Sequence, residues 1–131
     1  MNSLQSHTST GTKPIISGYF SLASNYEDFL KDVDEHISNT LSNIAEEENL
    51  SFKNRLNETP DWKHTQETAD VSVSLTNVEF SVGHEDAQDL EYGNPMANRV
   101  ASGLIRSQAK RRSDEIGTSL ATRVIEEAFG A

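Results

Sequence analysis

The spacing of the apolar residues changes twice along this chain, and this change restricts the fold more than any other feature. Across residues 26–44 the apolar side chains recur every three to four positions, which is the pattern of an amphipathic helix. Across residues 71–82 they alternate with polar side chains, as in strands with one buried face. Helical spacing returns over residues 104–128. The sequence predicts an α+β fold with an N-terminal amphipathic helix, an antiparallel β-hairpin or small sheet, and a long C-terminal helix.

The first helix is expected to begin near Asn25, where a polar side chain can cap it. Three successive acidic residues, 46–48, would be unfavourable at a helix C-terminus. Either the helix continues past them or it breaks near Asn49. Apolar residues at helical spacing favour helix up to about Glu58, and Pro60 disfavours helical geometry in the residue before it. A loop is expected to follow.

The alternating segment contains two runs whose apolar residues are Val71, Val73 and Leu75, then Val78, Phe80 and Val82. A two-residue turn at Thr76-Asn77 would pair Leu75 with Val78 and bring both runs onto one face of a hairpin. A single long strand with a bulge is the alternative interpretation.

Residues 1–24 are rich in serine, threonine and asparagine, with short apolar patches at Ile15-Ile16 and Tyr19-Phe20. We interpret this segment as a flexible N-terminal arm, or as one that docks its apolar residues on its own domain or on a neighbour. The division is therefore an arm over residues 1–24 and a single α+β domain over residues 25–131. Tyr19 and Phe20 become candidate interface residues.

The composition restricts the class of function. Of the 131 residues only 34% are hydrophobic, so either neighbouring subunits supply part of the burial or a terminus stays unfolded. The formal net charge of -10 disfavours free binding to duplex DNA, whereas an acidic wall would let DNA slide past. Cysteine is absent, which excludes disulfides and thiolate chemistry. No apolar run is long enough for a membrane span.

No motif for catalysis is recognisable. The four histidines lack close metal-ligand spacing, and the sequence contains no phosphate-binding glycine loop or nucleophile elbow. His84-Glu85-Asp86, with Asp89 and Glu91 nearby, is a candidate for a weak divalent-cation site, but a solvated acidic turn is the favoured interpretation. We therefore predict that the protein is not an enzyme and has no catalytic residue, cofactor or metal.

One basic cluster stands out, formed by Arg106, Lys110, Arg111 and Arg112. In a chain with this net charge, these cations are expected to pair with carboxylates, within the chain or across a subunit interface. They are therefore candidate interface residues as well. Nucleic-acid binding is the alternative, and it would show a steep dependence on salt.

The segment between the hairpin and the last helix contains a distinctive step made of Ala87, Leu90, Glu91, Tyr92 and Gly93. Gly93 can adopt a positive φ and turn the chain, while Leu90 and Tyr92 can pack on the apolar face of the hairpin. Glu91 lies between them, so its carboxylate needs a cation or backbone N–H groups, and Arg106 is the candidate partner.

This step, after a hairpin and before a loop and a closing helix, resembles the tail-component family of long-tailed bacteriophages, also called tail-completion or neck proteins. Family members carry Tyr-Ala-x-x-(aromatic, Leu or Val)-Glu-(Phe or Tyr)-Gly-Thr, followed by a Pro-Phe-Leu-Arg-Pro-like segment. Residues 103–106 can stand for that second segment, although both prolines are missing. Asp86 replaces the usual aromatic residue, and Asn94 replaces the usual threonine.

The resemblance implies a virion structural protein of a tailed phage, in a homo-oligomeric neck or tail-completion ring through which DNA passes without specific binding. Its partners would be other neck and tail proteins, such as an adaptor or stopper, a tail terminator or the tail tube. The protein would be made in the host cytoplasm, would not associate with a membrane, and would reside in the virion. The alternative is a small acidic phage-encoded protein that regulates or binds a host protein.

Overall fold

A computed structural model describes residues 3–9, 13–20 and 34–129 of the chain. Within these ranges the elements are β1 (Ser3–Ser9), β2 (Lys13–Tyr19), α1 (Asp34–Glu58), a 3-10 helix (Lys63–Thr68), β3 (Ala69–Val73), β4 (Asn77–Val82), α2 (Ala87–Tyr92), a second 3-10 helix (Pro95–Ala97) and α3 (Leu104–Phe129). The predicted α+β class, with its antiparallel sheet and long C-terminal helix, is confirmed.

The four described strands form one antiparallel sheet in the order β1-β2-β4-β3. The predicted hairpin is present as β3 and β4, but its register differs by two residues. Val78 lies opposite Val73 and not opposite Leu75. A shift of two keeps every side chain on its predicted face, because side chains alternate along a strand. The apolar pattern therefore cannot distinguish the two registers.

The turn between β3 and β4 explains the difference in register. Ser74 donates its backbone N–H to the carbonyl of Asn77 at 2.9 Å, and the Ser74 hydroxyl bonds to the Asn77 side chain. Leu75 and Thr76 thus occupy the centre of a four-residue turn. The observed turn thus lies one residue earlier than the predicted two-residue turn at Thr76-Asn77.

The N-terminal strands belong to the sheet. Ile16 of β2 lies opposite Phe80 of β4 and is fully buried, and Phe20 is also buried. The described part of residues 1–24 therefore packs on the chain's own domain, one of the alternatives predicted for it, but as strands of the sheet, which the sequence did not predict. The strand signal is weak because Gly18 interrupts the alternation, at a point where a Cβ would collide with Ser113 of α3.

Helix α1 is continuous through its acidic residues, with no break at Asn49, and it ends at Glu58 as predicted. Arg112 and Arg123 of α3 pair with Glu48 and Glu47, so the neighbouring helix neutralises this acidic stretch. The predicted start near Asn25 lies outside the described residues. The segment after Pro60 was expected to be a loop, and it contains the first 3-10 helix.

The core lies between the sheet and the two long helices. Helix α1 packs on β3, α3 packs across β4 and β2, and the helices contact each other. The Phe52 ring meets the Phe80 ring edge to face, with centroids 5.5 Å apart. Trp62 is fully buried and donates its indole N–H to the Ser102 hydroxyl at 2.9 Å. Among the described helices, none has the length and apolar character that crossing a bilayer requires.

Candidate functional site

Helix α2 contains the step that the sequence singled out, and Gly93 ends it with the predicted positive φ, at 81°. The Gly93 N–H donates to the Asp89 carbonyl at 2.7 Å and closes the last turn. A Cβ at Gly93 would lie 2.8 Å from the Ala101 backbone nitrogen. Both the backbone conformation and the available space therefore require glycine here.

The Glu91 side chain is fully buried and accepts three hydrogen bonds. Its Oε1 accepts from the Ile105 N–H at 2.7 Å. Its Oε2 accepts from the Arg106 N–H at 3.1 Å and from the Arg106 Nε at 2.7 Å. The carboxylate thus caps the positive N-terminal end of α3 while also pairing with a guanidinium. The predicted pairing of Glu91 with Arg106 is confirmed.

The rest of the step strengthens this anchor. The Arg106 guanidinium lies over the Tyr92 ring, 5.0 Å from its centroid, and Arg106 Nη2 donates to the Glu91 carbonyl at 2.7 Å. Leu90 and Tyr92 pack partly buried against the core. The Leu90 carbonyl also accepts from the Ser102 N–H at 2.9 Å. The end of α2 and the start of α3 are therefore held together at a fixed position.

Between these two ends the chain projects a short segment, residues 95–100, which we call the apolar loop. Its base is a backbone bridge in which Asn94 and Arg99 each donate an N–H to the other's carbonyl, both at 2.9 Å. The Asn94 side chain accepts from the Met96 N–H at 3.1 Å, and Asn98 adopts φ 60°. Met96 is 99% exposed and Val100 is 89% exposed. The loop therefore presents apolar side chains to solvent on a hydrogen-bonded frame.

A second cluster lies beside this loop, at the turn between β4 and α2. His64 Nε2, from the first 3-10 helix, lies 2.8 Å from Asp86 Oδ2, and His84 Nδ1 lies 3.9 Å from the same oxygen. The two imidazole rings are perpendicular, with centroids 4.6 Å apart. The hydrogen bond from His64, and then the positive charge of Arg99, hold the pKa of the Asp86 carboxyl below its usual value.

The residues of this cluster are not the same as those of the acidic group that the sequence suggested around His84-Glu85-Asp86. Asp89 accepts from the Asn94 side chain at 3.1 Å, and Glu91 is buried against Arg106, so neither joins the turn. His64, which does join it, was missed. It is separated from Asp86 along the chain, and no spacing rule links the two, so only the fold brings them together.

The arginines of the basic cluster have partners within the chain. Arg112 bonds Glu48 through two nitrogens, at 2.8 and 2.9 Å, and it also contacts Glu115. The hydrogen bond to Glu48 raises the pKa of Arg112 above its ordinary value. Arg111 donates to Gln108 at 2.8 Å. Pairing within the chain, one of the two predicted alternatives, is what the structure shows for Arg106 and Arg112.

The other predicted interface residues differ in how far they are exposed to solvent. Lys110 is exposed on α3, and Tyr19 is half-buried at the end of β2. Phe20 is 7% exposed and lies directly over Gly117 of α3, where a Cβ would be 2.8 Å from the Phe20 Cβ. Phe20 is therefore part of this chain's own core, which corrects its prediction as an interface residue.

Comparison with protein-family models, with curated proteins and with solved structures found no match to this chain. The fold and the site define the protein as a small acidic α+β protein. Its apolar loop is anchored by the ion pair between the buried Glu91 and Arg106.

Proposed function

We propose that this chain is a virion structural protein of a tailed phage, forming part of the head–tail neck or tail-completion ring. The observation that carries the proposal is the apolar loop, whose Met96 and Val100 are almost fully exposed. The loop directly follows the Ala87–Gly93 step on which the resemblance to phage tail-completion proteins rests. In this proposal the step anchors the loop, and the loop makes the contacts of assembly.

The frame of the loop supports a role in binding. Scattered exposed apolar side chains are common on protein surfaces and need no explanation. Here, however, the Asn94–Arg99 bridge and the Glu91 anchor hold the backbone that carries them. A contact surface fixed before binding loses less conformational entropy on association. Methionine also adapts its flexible side chain to an irregular partner surface.

The partner that we assign to the apolar loop is a neighbouring copy of the same chain. The only charged residue of the loop is Arg99, whereas the chain as a whole carries a net charge of -10. An open groove on α3 is lined by Asp114, Glu115, Thr118 and Ser119, so its charge complements Arg99. Loop and groove are different surfaces of one chain, and such a head-to-tail contact closes into a ring when the rotation between copies allows it.

The experiment for the virion role is mass spectrometry of purified particles of the phage that carries this gene. We expect the chain in a fixed ratio to the tail proteins, and cryo-electron microscopy should place it in a ring at the neck. A host-binding or regulatory protein, the alternative, would occur in extracts of infected cells and be absent from washed particles. That result would reject the proposal.

The contact itself is tested with a double variant, Met96→Ser with Val100→Ser. We expect it to weaken self-association at least tenfold in native mass spectrometry and analytical ultracentrifugation, while the circular dichroism spectrum stays unchanged. Leu50→Ser is the matched control, because Leu50 is 64% exposed on α1, outside the loop. A wild-type chain that stays monomeric at all concentrations, or a double variant that assembles normally, would contradict the loop contact.

A further inference from the structure

We infer that His64, His84 and Asp86 form a binding site for a zinc ion. One ligand atom from each residue can be chosen so that all of them lie within 4.8 Å of one another. Bonds of roughly 2.0–2.1 Å to a tetrahedral zinc ion place its ligand atoms roughly 3.4 Å apart. The observed separations from Asp86 Oδ2, 2.8 Å to His64 and 3.9 Å to His84, lie on either side of that value. Small side-chain adjustments are therefore enough to admit the ion.

The backbone around the cluster holds its two segments in place. The Gly83 N–H donates to the Thr68 carbonyl at 3.0 Å, which ties the end of β4 to the 3-10 helix that carries His64. The Ala87 N–H donates to the His84 carbonyl at 3.0 Å and closes the turn between β4 and α2. The ligands thus come from segments that are already joined, so binding requires little ordering of the chain.

Hydrogen bonds also orient the ligand atoms. His84 Nδ1 accepts the Asp86 backbone N–H at 3.1 Å, so the lone pair of Nδ1 points into the turn, where the ion would replace this bond. Arg99 Nη1 lies 4.0 Å from Asp86 Oδ1, the carboxylate oxygen not paired with the histidines. Asp86 Oδ2 is the oxygen nearest to both imidazoles. The positive charge of Arg99 therefore lies on the side of the carboxylate that the histidines leave open.

The donor set selects the kind of metal. Two imidazole nitrogens and one carboxylate oxygen suit zinc and related transition ions, whereas magnesium and calcium prefer oxygen ligands. Three protein ligands leave a fourth position for water or an incoming group. One of the ligands, His64, also lines a surface cleft together with Asp61 and Val100. A bound ion would fasten the 3-10 helix to the turn beside the apolar loop, and this role does not depend on the proposed function.

The test is a titration of zinc chloride into the metal-free full chain, by isothermal calorimetry and by thermal unfolding. We expect one site with micromolar affinity. A free zinc concentration a hundredfold above the dissociation constant should raise the melting temperature by roughly 10 °C. Magnesium chloride at the same concentration should leave the melting temperature unchanged. A cobalt-loaded sample should show the visible absorption bands of a low-symmetry site with nitrogen and oxygen ligands.

The variants His64→Gln and His84→Gln should each weaken zinc binding at least tenfold, with unchanged circular dichroism spectra. Glu85→Gln is the matched control, since Glu85 is an exposed acid in the same turn, and its affinity should equal that of the wild type. Absence of zinc-dependent heat and of any melting shift in the wild type would overturn the inference. Wild-type affinity in both histidine variants would overturn it too, because binding would then come from other residues.

Discussion

At the scale of single residues, Glu91 is the side chain on which the site depends most. Its carboxylate is excluded from solvent and accepts bonds from Ile105 and Arg106. A buried charge is tolerated only when its partners replace the water it has lost. The same hydrogen bonds satisfy backbone N–H groups at the start of α3, which otherwise lack acceptors. One side chain thus supports both the helix terminus and the base of the apolar loop.

The variant Glu91→Gln tests this dependence. The amide keeps the shape of the side chain but removes the charge and turns an N–H donor towards the donors of α3. We expect the free energy of unfolding to fall by about 2–4 kcal/mol in urea denaturation, because charged hydrogen bonds are lost and a buried donor has no acceptor. Glu67→Gln, an exposed control, should change it by less than about 0.5 kcal/mol. Equal effects of the two variants would contradict the anchoring role.

At the scale of elements, α1 and α3 are joined by ion pairs of two kinds. Glu48, on α1, has a side chain that is only 10% exposed, and its carboxylate accepts hydrogen bonds from two nitrogens of Arg112. Glu47 is 57% exposed and bonds Arg123 at 2.7 and 2.8 Å. The first pair is shielded from solvent, whereas water and salt screen the second. These pairs explain why α1 continues through an acidic stretch that looked like a helix end.

The exposed pair predicts a defined dependence on pH. The hydrogen bond from Arg123 lowers the pKa of the Glu47 carboxyl below its ordinary value of 4.5. Because the folded-state pKa is depressed, the pair stabilises the fold above 4.5, and this contribution is lost as the pH falls through the lower folded-state value. Glu47→Gln should therefore lower the melting temperature slightly at pH 7 and leave it unchanged in strong acid.

Thermal unfolding between pH 7 and pH 2 checks this expectation, with Glu46→Gln as the matched control on the same exposed stretch of α1. The difference between the wild type and Glu47→Gln should also shrink in about 1 M sodium chloride, where charges are screened beyond roughly 3 Å. A difference that persists in strong acid would mean that the side chain acts through packing and not through its charge.

At the scale of the whole molecule, charge and apolar contact act in opposite directions on assembly. Copies that each carry a net charge of -10 repel one another, while the exposed Met96 and Val100 favour contact. The same acidic surface would let DNA pass through a ring without holding its phosphates. Assembly and DNA binding therefore predict opposite responses to salt.

We expect self-association of the wild-type chain to strengthen when sodium chloride is raised from about 20 to 200 mM, because screening reduces the repulsion between copies. Sedimentation velocity at several protein concentrations measures this. In parallel, duplex DNA should show no retardation in a gel at the lower salt concentration. Association that weakens with salt, together with DNA retardation, would instead support nucleic-acid binding through Arg106 and residues 110–112.

The sequence alone determined the features that depend on neighbouring residues. Apolar periodicity predicted the two long helices and the hairpin of β3 and β4, because each element must bury one face. Pro60 ended α1, and Gly93 turned the chain, since these residues restrict or free their own backbone. The partner of Glu91 was also predictable, because a shielded carboxylate needs a cation and Arg106 was near in sequence.

Only the tertiary structure decided the features in which distant segments meet. The register of β3 and β4 depended on whether the turn is centred on Leu75-Thr76 or on Thr76-Asn77. The apolar pattern is the same in both registers and could not distinguish them. The sequence did not predict strand β2, because Gly18 interrupts its alternating pattern. Glycine is required there because α3 packs closely on it. The candidate zinc ligands come together only when the 3-10 helix folds against the β4–α2 turn. The spacing of apolar residues indicates which face of a helix or strand is buried. Which other elements that face contacts is decided only by tertiary packing.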